Sequence, residues 1–296
     1  MLRPLPRDAG PQLDPLTAPL VKAFPDGTAF FAWQVGLEAA IASGQVTGLA
    51  RYAGDDLEAV MLIQEQGGLA TILVGLGACT DAFLEACLDD LQGRLDALIW
   101  DEWVGADWPA RLAHRGIRAY ELETRVQELA RTPVEAPDPA LAIRPWRPED
   151  AADVIPLLAT ANATTLAGLF LTYPIAPTPA AYAATMQAIL AGEKGDFLPE
   201  ASHVAYLDGR LAGVLLSVRQ DAETSILFEL ATHPWARGKQ VGRSLVRAKQ
   251  QSLRELGIPR LAFITTPDNL PIHRFYREEE IVERSATRGA YWLRGT

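Results

Sequence analysis

Cysteine is scarce in this sequence. Among 296 residues only Cys79 and Cys87 occur, in no CxxC or metal-ligand pattern. A disulfide-stapled fold is therefore excluded, and a reduced intracellular protein is expected. The four histidines include His233 and His273, and neither has a second ligand at a spacing typical of metal sites. We therefore expect no bound metal.

Long apolar runs are also missing. No stretch approaches the roughly 18 apolar residues that a membrane-spanning helix requires. The first residues, MLRPLPRDAGPQLDPL, are interrupted by prolines and lack the apolar core of a signal peptide. The sequence therefore predicts a cytoplasmic protein with no membrane partner.

Positive charge is in deficit. Lys and Arg total 27 against 37 Asp and Glu, which gives a net charge of −10. Nucleic-acid phosphates require a basic surface, so a nucleic-acid partner is not expected. A hydrophobic content of 49% with 22% charged residues is typical of a globular protein. A few basic residues in an acidic chain suit a small anionic ligand better.

The chain divides at residues 131–140, RTPVEAPDPA, which hold three prolines and read as a linker. After this segment strands and helices alternate. Asp208-Gly209 predicts a hairpin turn between two strands, and Gly257 and Pro259 predict the end of a helix over residues 243–256. An α/β fold of two domains, 1–135 and 141–296, is predicted.

The most informative segment follows the apolar strand that ends at Leu230-Ala231-Thr232-His233-Pro234. A loop with Arg237, Gly238, Lys239 and Gly242 leads into an amphipathic helix. Glycines let the backbone approach a ligand, and free N–H groups at a helix N-terminus attract anions. The segment predicts a phosphate-binding loop, although a lone glycine-rich loop is often only a surface turn. Gln240 after Lys239 excludes a Walker A loop.

Together these motifs resemble the GNAT superfamily of N-acetyltransferases. The family's pyrophosphate motif, (Gln/Arg)-x-x-Gly-x-(Gly/Ala), falls on residues 237–242, where Arg237 and Gly242 match and Gln240 replaces the first glycine. Asn269 and Tyr276 have the family's later Asn-to-Tyr spacing. The resemblance covers about residues 141–294. It implies two GNAT-like domains, each a mixed, mostly antiparallel central sheet flanked by helices.

The resemblance also implies a cofactor and its binding residues. Acetyl-CoA is expected in a V-shaped gap between the strand at 226–232 and the strand at 261–265. The Leu230 N–H would polarise the thioester carbonyl, and Asn269 would hydrogen-bond the cofactor arm. The expected cofactor-binding residues are Leu230, Ala231, Thr232, Arg237, Gly238, Lys239, Gln240, Val241, Gly242 and Asn269.

Two residues are candidates for proton transfer. The resemblance implies that Tyr276 protonates the departing thiolate, a general-acid role; alone, Tyr276 reads as a half-buried aromatic on a short helix. Glu229 is an acid in an apolar strand beside the expected carbonyl donor, and it is a candidate general base. Strand alternation equally allows Glu229 to form a salt bridge or to face away from the gap. The acceptor is expected to be a small-molecule or peptide amine.

The first half of the chain repeats the strand and helix order of the second half, with little residue identity. Residues 51–57 align with residues 205–211, and the helix 81–91 aligns with 243–256. However, Gly75-Leu76-Gly77-Ala78-Cys79-Thr80 has no basic residue, and the positions of Asn269 and Tyr276 are Gly105 and Leu112. The first copy is therefore predicted to be a degenerate GNAT-like domain that acts as a scaffold. The protein is expected to be a monomer or a homodimer.

Two other interpretations stay open. Residues 75–80 follow a strand and precede a helix, with Asp101 after the next strand, as in a dinucleotide-binding fingerprint, but Thr80 replaces the third glycine. Alternatively, the second half is a non-catalytic acyl-CoA-binding sensor, which Gln240 and the unassigned base would permit.

Overall fold

A computed structural model of the chain describes residues 2–101, 107–163, 165–266, 269, 272 and 275–295. Within these residues, the strands are β1 (Arg3–Pro4), β2 (Thr47–Ala53), β3 (Asp56–Gln66), β4 (Leu69–Gly77), β5 (Ala97–Asp101), β6 (Arg118–Glu128), β7 (Ala142–Pro145), β8 (Asp196–Phe197), β9 (His203–Leu207), β10 (Arg210–Arg219), β11 (Thr224–Thr232), β12 (Arg260–Thr265) and β13 (Ile281–Leu293). The α-helices are α1 (Gly10–Thr17), α2 (Gly27–Ser43), α3 (Asp81–Arg94), α4 (Trp108–Arg111), α5 (Ala151–Asn162), α6 (Leu166–Thr172), α7 (Pro179–Leu190) and α8 (Val241–Glu255).

The chain forms two compact units. Unit 1 contains residues 1–120, 174–176 and 288–296, and unit 2 contains residues 121–173 and 177–287. The predicted α/β class with mostly antiparallel sheets is confirmed. The predicted domains, 1–135 and 141–296, are continuous in sequence, whereas each compact unit contains separate segments of the chain. The domain assignment stays a prediction.

Unit 1 is built on a mixed sheet in the order β1-β2-β3-β4-β5-β13. Strands β2, β3 and β4 pair antiparallel, and β4 pairs parallel with β5 through the crossover helix α3. The end of β13 then pairs antiparallel with β5, from Gly289 opposite Asp101 to Leu293 opposite Ala97. A strand from the end of the chain therefore completes the sheet of unit 1.

Unit 2 has the order β7-β9-β10-β11-β12-β6 on the same plan. The predicted hairpin joins β9 and β10, and Asp208 and Gly209 both have positive φ, 51° and 75°, as that two-residue turn requires. Strand β11 pairs parallel with β12 through the crossover helix α8. Strand β6, which precedes the proline-rich linker, pairs antiparallel with β12.

The two units share their irregularities as well as their strand plan. In the first hairpin of each unit the pairing skips one residue, Glu58 in β3 and Ala212 in β10. In the next strand pair it skips Leu73 in β4 and Phe228 in β11. These bulges support the alignment of residues 51–57 with residues 205–211, because a bulge marks a specific position in a strand.

Helices cover both faces of the unit 2 sheet. Helices α5 and α7 bury Val154, Leu157, Tyr182 and Met186 against one face. Helix α8 buries Val241, Leu245 and Leu253, with other residues, against the opposite face. The helix predicted over residues 243–256 is confirmed, and Gly257, with φ of 70°, ends it.

Candidate acyl-transfer site

The central feature of unit 2 is a gap between β11 and β12. Parallel pairing runs from Thr224 opposite Arg260 to Leu227 opposite Phe263 and stops there. Beyond that point Ile264 and Thr265 pair with β6 on the other side of β12. The bulge at Phe228 bends β11 at the same point. Residues 229–232 of β11 therefore pair with β10 on one edge and face the gap on the other.

The loop after β11 ends at an uncapped helix N-terminus. Gly238 and Gln240 have positive φ, 76° and 61°. Gln240 is the N-cap residue of α8, and its side chain makes no capping hydrogen bond. The first N–H groups of a helix have no intrahelical partner, so those of Val241 and Gly242 remain free to bind an anion. Gln240 thus occupies the glycine position of the family motif and adopts the left-handed backbone for which glycine is favoured.

A cavity of about 590 Å³ joins the gap to this helix terminus. Nine of the expected cofactor-binding residues line it. Its lining residues are Ala161, Asn162, Leu230, Ala231, Thr232, Ala236, Arg237, Gly238, Gln240, Val241, Gly242, Arg243, Asn269, Ile272 and Phe275. The structure therefore brings together all of the expected cofactor residues except Lys239.

Lys239 lies beside the aromatic ring of Trp235. Its Nζ is 5.1 Å from the centre of the ring, and Arg210 lies 4.5 Å from the same centre. Two cations over one ring place Lys239 at the outer side of the loop, near the cavity but not in its lining. Its positive charge still contributes to the field at the helix terminus.

Glu229 is buried beside the cavity. Only 7% of its surface is exposed, and Oε1 accepts a hydrogen bond of 3.0 Å from Asn162 Nδ2. Burial raises the pKa of the carboxyl to about 7, while the hydrogen bonds from Asn162 and from the Leu230 N–H oppose that rise. A carboxyl with a pKa near 7 can accept a proton at neutral pH.

Asn162 is the functional candidate that the sequence interpretation missed. It is the last residue of α5, a helix whose other residues are mostly apolar, and it both lines the cavity and holds Glu229. Tyr182 of α7 belongs to the same buried region, and its hydroxyl is one of few buried side-chain groups in the described residues without a hydrogen-bond partner. Burial, and then the Glu229 charge, raise the pKa of the Tyr182 phenol.

Tyr276 does not line the cavity of about 590 Å³. It lines a second cavity of about 240 Å³, together with Arg243, Arg247 and Arg277 among other residues. Its ring centre lies 4.8 Å from that of Phe263 and 5.3 Å from the Arg125 guanidinium carbon. Burial raises the pKa of the phenol, and the positive charge of Arg125 acts against that rise. Phe275 and Arg243 line both cavities.

The corresponding loop of unit 1 is closed to an anion. The N–H groups of Ala78, Cys79 and Thr80 donate to backbone carbonyls at 2.8–3.0 Å. Arg51 donates to the Ala78 carbonyl and to the Thr80 hydroxyl, each at 3.0 Å. Thr80 also caps α3 through the Phe83 N–H. Neither a coenzyme nor a dinucleotide finds free loop donors at residues 78–80.

Side chains also fill the unit 1 equivalent of the gap. Parallel pairing of β4 and β5 ends at Ile72 opposite Trp100. Farther along β4, Gly75 lies so close to Trp108 that an added Cβ would stand 2.2 Å from its ring. Leu112, at the position of Tyr276, belongs to the apolar core, and Gly105 lies outside the described residues. These contacts are consistent with a degenerate first copy, which stays a prediction.

Two features are absent from the described part of the chain. It contains no group of three or more His, Cys, Asp and Glu residues arranged to hold a metal ion. None of its helices is both long and apolar enough to span a membrane.

Comparison with known proteins supports an acyltransferase family. Residues 170–279 match the model of the Acetyltransferase (GNAT) family, so the second half of the chain contains a GNAT domain. This segment includes the gap, the loop over residues 237–242, α8 and the position of Tyr276. Among curated proteins, no sequence matches the chain.

Solved structures of GNAT proteins are similar over nearly the whole chain. One is a GCN5-related N-acetyltransferase from Sphaerobacter thermophilus, with a TM-score of 0.49, 13% identity, and coverage of 98% of this chain and 94% of that chain. Another is a tandem GNAT protein from the clavulanic acid biosynthesis pathway, with a TM-score of 0.44, 12% identity, and coverage of 98% and 97%. A third, from Kribbella flavida, has a TM-score of 0.45, 16% identity, and coverage of 99% and 72%.

Proposed function

We propose that the GNAT domain in the second half of this chain transfers an acetyl group from acetyl-CoA to a primary amine by direct attack. The observation that carries the proposal is the cavity of about 590 Å³, which joins an uncapped helix N-terminus to the open edge of β11. The first feature suits a diphosphate and the second suits an extended chain of amides.

The residues present fit this coenzyme. The N–H groups of Val241 and Gly242 would bind the diphosphate, with Arg237 adding positive charge. The edge of β11 from Leu230 to Thr232 would pair with the pantetheine arm as an added strand. Asn269 in the same lining would hydrogen-bond that arm. Bound there, the coenzyme supplies a thioester as acetyl donor.

Glu229 is the proposed general base. The amine must lose a proton as its nitrogen bonds to the carbonyl carbon, and the Glu229 carboxylate accepts that proton directly or through water. With a pKa of about 7, a large part of the carboxyl is ionised at neutral pH, and the carboxylate is still basic enough to take a proton from the amine. Asn162 and the Leu230 N–H orient the carboxylate. To polarise the acetyl carbonyl, the Leu230 N–H would have to exchange Glu229 for the thioester oxygen.

Tyr276 is the proposed acid, which donates its phenolic proton to the thiolate as the carbon–sulfur bond breaks. Its raised pKa keeps the phenol protonated at neutral pH. Because Tyr276 lines the smaller cavity, this role requires the side chain to reach the gap past Phe275, which lines both cavities.

Release of free thiol from acetyl-CoA with a panel of primary amines tests the proposal. We expect amine-dependent release that Tyr276→Phe lowers at least tenfold with little change in acetyl-CoA affinity. Unchanged turnover in that variant would remove Tyr276 from the acid role. Arg237→Glu should weaken acetyl-CoA binding sharply in calorimetry, and equal affinity would mean that the phosphates bind elsewhere.

A second candidate function is an acyl-CoA-binding sensor without turnover. The position of Tyr276 in the smaller cavity favours it, because a binding protein needs no acid near the sulfur. Such a protein would bind acetyl-CoA in calorimetry but release no thiol with any amine.

A further inference from the structure

The mouth of the gap is flanked by two apolar side chains. Leu227 and Phe263 form the last parallel pair, so Phe228 and Ile264 are the first residues beyond it on each strand. Ile264 is 55% exposed, an unusual exposure for an isoleucine inside a strand. Phe228 is half-buried.

These two side chains and Glu229 share one face of the sheet. Ile226 pairs with Ala262, and Ile226 and Phe228 both pack into the core beneath α5 and α7. Alternation along β12 puts Ile264 on the same face as Ala262. Glu229 belongs to this face as well, because it contacts Asn162 at the end of α5.

The apolar surface continues onto β6. Thr124 pairs with Ile264, and Val126 pairs with Ala262. Leu122 follows on the same face by alternation, and all three β6 residues are half-buried. Phe228, Ile264, Leu122, Thr124 and Val126 carry no charge, and we name this set the apolar patch.

The side from which the acceptor must approach the acetyl group indicates that the acceptor contacts the apolar patch. The diphosphate donors lie at the start of α8, which covers the opposite face through Leu227 and Leu230 among others. A coenzyme held there enters the gap from the α8 side. The amine must then reach the carbonyl from the side of Glu229, where the patch forms the adjoining surface.

We propose that the acceptor is a primary amine attached to an apolar aliphatic or aromatic group, which packs on the apolar patch while its nitrogen faces Glu229. This inference rests on the proposed function. A polyamine is a poor fit, because its further ammonium groups would lie against uncharged side chains. Of the β6 carboxylates next to the patch, Glu123 alternates to the other face and pairs with Arg125, and Glu128, which lies on this face beyond Val126, pairs with Arg131.

The reaction balances with the groups already named. The amine nitrogen bonds to the acetyl carbon as the carbon–sulfur bond breaks, Glu229 takes the amine proton, and Tyr276 gives its phenolic proton to the thiolate. The products are an N-acetyl apolar amine and free coenzyme A.

Thiol release with matched amines tests this inference in the full chain. The panel is 2-phenylethylamine and hexylamine against ethanolamine, putrescine and spermidine, with acetyl-CoA as donor. We expect kcat/KM for 2-phenylethylamine to exceed that for ethanolamine at least tenfold, since apolar contacts of this size are worth roughly 10–200-fold in specificity.

Ile264→Asp should lower kcat/KM for 2-phenylethylamine at least tenfold, raise it for putrescine, and leave acetyl-CoA affinity unchanged in calorimetry. Leu190→Asp, at an apolar residue that is 41% exposed at the end of α7, is the matched control and should change neither value. Faster release with putrescine or ethanolamine in the wild type, or equal losses for all amines in Ile264→Asp, would overturn this inference and leave the transferase intact. Acetyl-CoA binding without thiol release for any amine would overturn both.

Discussion

Replacing Asn162 by alanine should move the pH dependence of catalysis. Asn162 Nδ2 donates at 3.0 Å to Glu229 Oε1, and it stabilises the ionised carboxylate. A hydrogen bond to a charged group contributes about 1.5–3 kcal/mol. Each 1.36 kcal/mol is about one pKa unit, so the pKa of Glu229 should rise from about 7 to about 8–9 in Asn162→Ala.

The magnitude follows from the ionised fraction of the base. At pH 7 about half of the wild-type carboxyl is ionised, against roughly a tenth to a hundredth in Asn162→Ala. The rate at pH 7 should therefore fall about fivefold to fiftyfold, and at pH 9.5 it should return close to the wild-type rate. The ratio of variant to wild-type rates cancels the titration of the amine itself.

The assay is thiol release from pH 6 to pH 9.5 at saturating acetyl-CoA. Thr160→Ala is the control, since this exposed side chain on α5 donates to the Pro156 carbonyl of its own helix. A constant rate ratio across this range would mean that Asn162 acts through structure alone. A ratio that fell with rising pH would contradict the assignment of Glu229 as base.

Three other substitutions test the energetics of unit 2. Gln240→Gly should raise the free energy of unfolding by about 1 kcal/mol, because φ at this residue is 61°; a lower urea midpoint would contradict the strain. Glu229→Gln should raise Tm at pH 8 more than at pH 5: the pKa rises on folding from 4.5 to about 7, so the buried carboxylate destabilises by roughly 3 kcal/mol above pH 7 and by little below pH 4.5. An equal increase in Tm at both pH values would contradict this cost of burying the Glu229 carboxylate. Lys249 is fully buried, and burial lowers its pKa well below the usual value, so wild-type stability should rise with pH toward 10.5. Lys249→Met should flatten that rise in Tm scans between pH 7 and pH 10, and an unchanged slope would place the ammonium in contact with water.

The order of strands and helices in unit 2 was predictable because each element carries local signals. Asp208-Gly209 specifies its turn, and Gly257 ends α8 at a left-handed backbone. The loop before α8 was predictable for the same reason, since its motif is continuous from Arg237 to Gly242. The resemblance to the GNAT family rested on such linked local motifs.

Contacts between distant segments were not predictable from local patterns. Asn162 and Glu229 are 67 residues apart in sequence, and no spacing rule joins the end of a helix to a particular strand residue. Lys249 belongs to a helix rich in charged and polar residues, yet its Nζ donates to Ser217 Oγ at 2.7 Å and to the Ile226 carbonyl at 2.8 Å. The pairing of β6 with β12 also depends on long-range register, which follows from burial of whole faces.

A crystal structure of the chain with coenzyme A would test most directly whether the coenzyme binds in the gap between β11 and β12. We predict the diphosphate within hydrogen-bonding distance of the Val241 and Gly242 N–H groups and the pantetheine arm along Leu230–Thr232. A coenzyme absent from this cavity, or bound at the loop from Gly77 to Thr80, would contradict it.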